Sequence, residues 1–222
     1  MEIILALATS AQQNTDAFKK WFGKSKVVDK SGKPLRVFHG TTKNFQAFDN
    51  TFIGHGNDEN GVGFYFTDNA EWTHGYSAGE GGNTVPVYLK IQKPLYWERQ
   101  PEITNGQIRK FMFHAGNKHV AQYLRNNFDV DYMGLEAAKA EYVSYMEGVD
   151  LLQASFSLFN ELYEGTPKQG QFAEIFKTIT GYDGVIVKRA QGTNYVVFTP
   201  TQIKSAVGNK GTFKPRTSDI SQ

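Results

Sequence analysis

The chain has no cysteine among its 222 residues. That excludes disulfides and thiolate metal sites, and it permits a reducing compartment. It also lacks any apolar run near the roughly 20 residues that a membrane-spanning helix needs. The opening Met1-Glu2-Ile3-Ile4-Leu5-Ala6-Leu7-Ala8 is apolar but short and has no basic leader. It reads as the start of a strand or helix rather than as a signal peptide. His55, His74, His114 and His119 stand at no convincing metal-ligand spacing with carboxylates, so no metal is expected. Charge of one sign is lacking too: the net charge is only +2, which gives no bulk attraction to nucleic acid. The charge is uneven, with +4 in residues 1–50 and again in 181–222, and −3 in each of 51–100 and 101–180. If the two ends meet, they form a modest basic face; a solvated surface explains the same pattern.

What is present is a folding composition, 40% hydrophobic and 14% aromatic. The length suits one domain, 1–222, with an embedded subdomain. Phe18, Trp21 and Phe22 fall on one helical face within residues 12–25, with Asn14 or Thr15 to cap it and Gly23 to stop it. Asp29–Pro34 is a turn, and Leu35 to Phe38 is a strand. Ile53–Asn60 is a polar, glycine-rich loop. Phe64 to Phe66 is a strand, after which Thr67 or Asp68 caps a short helix reaching Tyr76. Gly79–Asn83 is a loop. Val85 to Ile91 is a strand that Pro94-Leu95-Tyr96 extends. Gly184–Val187 and Tyr195–Phe198 are strands joined by a turn at residues 190–193.

Between these β-rich ends the pattern becomes helical. Ile108, Phe111 and Met112, then Leu151, Leu152, Phe156, Phe159 and Leu162, then Phe172, Ile175, Phe176 and Ile179 recur at helical spacing, and Gly181 closes the last run. Residues 101–180 are therefore expected to be a helical insertion, and its polar faces are candidates for recognising a partner. From Gly208 onward the tail is polar and is expected to be loosely held.

Two segments can carry chemistry together: Val37-Phe38-His39-Gly40-Thr41 and Gly63-Phe64-Tyr65-Phe66-Thr67-Asp68, with Tyr76 eleven residues after Tyr65. Taken alone, His39 is a packing residue, Gly40 a turn glycine and Tyr65 part of an aromatic strand. Taken together, a strand ending in His-Gly beside two tyrosines can form a slot for a flat aromatic amide. A third segment is Asn194-Tyr195-Val196-Val197-Phe198-Thr199-Pro200-Thr201-Gln202-Ile203. Asp68 reads as a helix cap and Asp183 as a turn residue.

These segments resemble the NAD site of the diphtheria-toxin-like ADP-ribosyltransferases, the class that includes the poly(ADP-ribose) polymerases. In that class the two tyrosines also stand eleven positions apart. The polymerase members carry a serine eight positions after the first tyrosine, where this chain has Thr73. Their catalytic glutamate immediately precedes a strand like Tyr195–Phe198, with a glutamine eight positions later. Here the glutamine is Gln202, which the resemblance marks as structural, and the glutamate position holds Asn194.

More closely, the chain is similar to the ADP-ribosyltransferase domains of phage and mobile-element polyvalent proteins. That likeness runs through Phe18–Asp29, Phe38–Thr41, Gly63–Asp68, Pro86–Leu89, Gly181–Val185, Tyr195–Ala206 and Gly208–Phe213. It implies an α+β fold of two packed, mostly antiparallel sheets with the helical insertion. It implies NAD as substrate and nicotinamide as leaving group, without a metal. His39 would hold a ribose, Tyr65 and Tyr76 would sandwich nicotinamide, and Gly40 with Thr41 would bring backbone close to it. Thr73 would hold the amide, and Asn194 would orient the nicotinamide ribose. The triad then reads His39, Tyr65, Asn194.

The resemblance implies a toxin-like mono-ADP-ribosyltransferase, a glycosyltransferase acting on a protein or nucleic-acid acceptor. Its setting would be the cytoplasm, that of a bacterial host in phage conflict, and away from membranes. The missing carboxylate keeps two alternatives open, an NAD glycohydrolase and a catalytically weak NAD-binding module.

Overall fold

The structure, a computed structural model, describes residues 12–52, 62–78, 82–168 and 170–222. The opening Met1–Ala8, the loop Ile53–Asn60 with His55, and the tip of the loop at residues 79–81 lie outside the described residues. The chain divides into two compact units, one of Met1–Glu98 with Asp183–Gln222 and the other of Arg99–Tyr182.

The first unit is built on one sheet. Its strands are β1 (Val37–Thr41), β2 (Phe64–Thr67), β3 (Asn83–Leu89), β4 (Pro94–Tyr96), β5 (Gly184–Arg189), β6 (Gly192–Val197) and β7 (Ile203–Ser205), in the order β4-β5-β6-β2-β1-β3-β7. All pairs are antiparallel except β4 with β5. The α+β class and the mostly antiparallel pairing are those the sequence implies, but the two expected sheets are joined into one ladder. The joint is narrow. β1 and β2 share a single register pair, Phe38 with Thr67, whereas β1 pairs with β3 over five residues and β2 with β6 over four. The sheet therefore opens between β1 and β2.

Its apolar side buries Val37, Val87, Leu89, Ile91, Ile186 and Val197 together with Phe48, Phe64 and Phe66. A second cluster packs Phe18, Trp21 and Phe22 of helix α1 (Asp16–Phe22) on Tyr88 and Phe213. Helix α1 starts where the Thr15 hydroxyl accepts from the Phe18 amide and stops at Gly23, whose φ is 57°.

Several local expectations change. The short helix after β2 is a 3-10 turn, Ala70–Thr73, running into α2 (His74–Ser77). Its cap is Asn69, whose side chain accepts from the Glu71 amide. Asp68 instead accepts from the Thr193 amide at 2.7 Å, tying the start of β6 to the end of β2. Pro94–Tyr96 does not extend β3 but pairs in parallel with β5. Asp183 accepts from the Gln92 and Lys93 amides and fixes that parallel entry.

The tail is not loose. Phe213 fills the aromatic cluster, Ile220 enters the sheet core, and Asn209 is buried with its amide donating to the Ile220 carbonyl. Two apolar residues spaced along a polar run anchor it, and local turns at Asn209 and Asp219 satisfy its backbone. Gln202 is buried and fully used: its Oε1 accepts from the Phe198 and Thr199 amides, and its Nε2 donates to the Lys90 and Asp183 carbonyls.

The second unit is helical: α3 (Asn105–Ala115), α4 (Asn117–Asn127), α5 (Val130–Met133), α6 (Leu135–Tyr145), α7 (Leu151–Tyr163) and α8 (Phe172–Thr180). A reciprocal Thr104–Gln107 capping box opens α3, and Gly181 at φ 81° ends α8. Its core buries Ile108, Phe111, Leu124, Leu151, Leu158 and Phe176. No helix among the described residues is long and apolar enough to cross a membrane.

Candidate functional site

Where β1 and β2 diverge, a cleft of about 700 Å³ opens. His39, Gly40, Thr41, Tyr65, Thr73, Tyr76 and Asn194, all singled out from the sequence, line it together. They come from three neighbouring strands and the α2 turn. The register sets Tyr65 opposite Val196 and Thr67 opposite Asn194, so Tyr65 and Asn194 stand on one face of the sheet.

His39 spans the opening. Its Nδ1 lies 2.8 Å from the Tyr65 carbonyl oxygen. A carbonyl can only accept, so Nδ1 carries the proton and the neutral ring presents Nε2 as a lone pair. Burial pushes the His39 pKa down, against a smaller opposing effect of the bond to Tyr65. The ring is held by Phe48, Phe66 and Phe45, with centroids 5.0, 5.4 and 6.2 Å away. This histidine is therefore a neutral hydrogen-bond acceptor in an aromatic collar, and it links the two halves of the sheet.

Gly40 is glycine for a steric reason. A Cβ there would lie 2.6 Å from the Thr73 carbonyl oxygen and 3.0 Å from the Cβ atoms of Thr73 and Tyr76. The missing side chain lets the α2 turn pack directly on β1 and carries Tyr76 to the cleft. Tyr76 is 71% exposed and lines the cleft, so its ring face is accessible from the cleft side. Thr41 accepts from the Lys43 amide and so shapes the chain that leaves β1.

Thr73 departs from its expected role. Its hydroxyl is buried, 2.6 Å from the Ala70 carbonyl and 2.7 Å from the Thr84 hydroxyl. The carbonyl takes its only proton, and Thr84 donates to it. While those bonds stand, Thr73 has no proton to offer a ligand amide; it fixes the α2 turn to β3 instead.

Asn194 makes no side-chain hydrogen bond among the described residues, and it also faces a second, shallower depression with Trp72, Arg189, Ala190 and Gln191. Trp72 borders both spaces, its indole N–H donating to Gln191 Oε1 at 3.2 Å.

Sequence reasoning did not single out Lys43, Phe45, Phe48, Asp49 or Trp72, all of which line the cleft. Four of them lie in the irregular chain after β1, where no periodicity marks a role. Their signal was proximity to His-Gly-Thr. Asp49 is the only carboxylate among the described lining residues, and its bond to the Thr51 amide holds its pKa below the usual value. Among the described residues no group of three or more histidines and carboxylates is placed to hold a metal.

No curated protein and no solved structure matches the chain. A family model does: the one described as ADP-ribosyltransferase in polyvalent proteins covers residues 29–213, in line with the α+β fold described above, and the chain belongs to that family.

Proposed function

We propose that the chain is an NAD-dependent mono-ADP-ribosyltransferase whose catalytic cleft is the opening between β1 and β2. The observation that carries this reading is the convergence of His39, Tyr65, Tyr76 and Asn194 on one cavity large enough for a dinucleotide. Nicotinamide lies between Tyr65 and Tyr76. His39 accepts a ribose hydroxyl at Nε2, and Lys43 supplies positive charge for the pyrophosphate. Asn194 orients the nicotinamide ribose.

The bond between the ribose anomeric carbon and the nicotinamide nitrogen breaks, and its electron pair leaves with nicotinamide. The sugar becomes oxocarbenium-like, and a lone pair on the acceptor's oxygen or nitrogen then bonds the anomeric carbon. The acceptor's proton is lost to solvent. Asn194 can hold the hydroxyl but adds no negative charge against the developing cation, which favours slow, single transfer over polymer formation. The acceptor, a protein or nucleic acid, meets the sugar in the depression of Trp72, Arg189 and Gln191, which shares Asn194 with the cleft. The family's place in polyvalent proteins supports a phage–host or mobile-element setting in a bacterial cytoplasm.

The test is incubation with NAD and candidate proteins and oligonucleotides, followed by intact-mass analysis and nicotinamide quantification. The expected result is one added ADP-ribose with stoichiometric nicotinamide. Nicotinamide release without any adduct would make the protein a glycohydrolase. NAD binding without release would make it a binding module, the outcome expected if Asn194 without a carboxylate cannot support bond cleavage.

A further inference from the structure

Lys204 lies in the segment whose neighbour Gln202 is explained by structure, yet nothing in the chemistry above uses it. It stands on β7, an edge strand, and its side chain is wholly buried. A lysine is rarely buried without a specific partner. Its Nζ donates to two backbone carbonyls, those of Thr217 and Asp219, each at 2.9 Å. Both belong to the tail, beyond Phe213, where the family match ends.

The tail segment is held on both sides. On one side the Ser205 amide donates to the Ile220 carbonyl at 2.9 Å. On the other, Ala47 bridges Asp219 in antiparallel fashion, and the Ile220 amide donates to the Gln46 carbonyl at 2.9 Å. So the segment 217–220 fills the space between β7 and the chain after β1. That chain is the cleft wall: Phe45, Ala47, Phe48 and Asp49 line the cleft, and Phe45 and Phe48 form the collar around His39. A physical path therefore runs from the Lys204 ammonium through the tail backbone and residues 46–47 to the histidine ring.

We propose that Lys204 is a positioning residue for the NAD cleft, acting through the tail segment Thr217–Ile220 to hold the wall Phe45–Asp49 against His39. The part that concerns NAD rests on the reading of the cleft given above; the brace itself does not. Edge strands and loops beside a cleft are the parts of a fold that open most easily, and among the described residues this wall has no strand pairing of its own beyond the one bridge to Asp219. The ammonium adds charge-assisted bonds to the Thr217 and Asp219 carbonyls beside the Ser205 amide's bond to Ile220, so β7 holds the tail backbone at three carbonyls.

The experiment uses the whole chain with three substitutions. Lys204→Met keeps the aliphatic stem and removes the donors; Lys204→Arg keeps donors and charge. Ile220→Pro removes the amide that reaches Gln46, together with the buried Ile220 side chain, and keeps the Lys204 ammonium. Hydrogen exchange across residues 44–49 is measured without ligand, and NAD affinity by calorimetry. Lys204→Met and Ile220→Pro are each expected to speed exchange in the wall and to weaken NAD binding by on the order of tenfold. The double variant should be little worse than either alone, because both cut the same path, and Lys204→Arg should recover part of the loss. Unchanged wall exchange in Lys204→Met would overturn the brace. Faster exchange with unchanged NAD affinity would overturn its link to the cleft. A parent that fails to bind NAD would sink the functional reading alone, and the exchange data would still decide the brace. Should Lys204→Met not fold, Ile220→Pro and Lys204→Arg carry the same comparison.

Discussion

Gly40→Ala is the sharpest test of how the cleft is assembled. A methyl at Gly40 would lie 2.6 Å from the Thr73 carbonyl oxygen and 3.0 Å from two Cβ atoms. That is about 1 Å inside ordinary contact distance. The clash is with backbone, so no rotamer change relieves it. Either β1 bends away from β3, to which Gly40 pairs through Thr84, or the α2 turn lifts. Inserting a carbon into a packed site costs about 1–3 kcal/mol. For a chain of this size that lowers Tm by roughly 3–10 °C.

If the turn lifts, Tyr76 moves with it, and NAD loses a stacking contact worth roughly 0.5–1.5 kcal/mol, so affinity falls about two- to tenfold. Gly75→Ala is the matched control. It lies on the same turn and its added methyl meets nothing within 4 Å, so stability should hold or rise and NAD binding stay level. Thermal melts and calorimetry read both variants. A Gly40→Ala protein that melts and binds NAD like the parent would refute the packing argument. Equal loss in Gly75→Ala would show that the turn tolerates no change, and that Gly40 has no special part.

Tyr76→Ala should weaken NAD binding with little change in Tm, because the ring is 71% exposed and contributes little to the core; unchanged affinity by calorimetry would remove it from the stacking role. Asn194→Glu should raise nicotinamide release, since a carboxylate there favours the cationic transition state; a variant that binds NAD but turns it over no faster would mean that Asn194 does not occupy the acidic position. His39 gives a pH dependence with a definite sign. Its folded pKa lies below the ordinary 6.5, so as pH falls the unfolded chain takes the proton first. Its contribution to stability is thus full above about 6.5 and is lost as pH falls from there through the folded value. Melts of the parent and His39→Gln from pH 7.5 to 5 should converge at the acid end; parallel curves would contradict a neutral buried ring.

The parts of the site that were legible in the sequence are those whose geometry follows from fixed offsets within one element or its neighbour. His39 and Gly40 end one strand, Tyr65 sits mid-strand, and Tyr76 follows at the distance a short turn spans. Asn194 was legible only through the resemblance, as the residue standing where the family carries its glutamate, immediately before the Tyr195–Phe198 strand. All of them line one cleft. The helices α3, α7 and α8 were equally plain, since each carries an apolar stripe. Helices α4 and α6 were not, because α4 buries only Val120 and Leu124 and α6 only Ala138, Tyr142 and Val143.

What stayed hidden is what depends on partners remote in sequence. Nothing local tells Pro94–Tyr96 to leave β3 and run parallel to Gly184–Ile186; the instruction lies in Asp183, whose carboxylate caps the Gln92 and Lys93 amides. Thr73 carries a hydroxyl at the right offset, yet a carbonyl three residues back takes its proton. Offset arithmetic counts side chains but not the bonds they have already made. The tail shows the same limit from the other side. Its polar composition predicts a free end, but Phe213 and Ile220 suffice to dock it, and a buried lysine on β7 supplies the polar bonds that composition cannot reveal. A segment that lies beyond the family match thereby bears on the residue at the centre of the cleft, through backbone carbonyls that no sequence motif records.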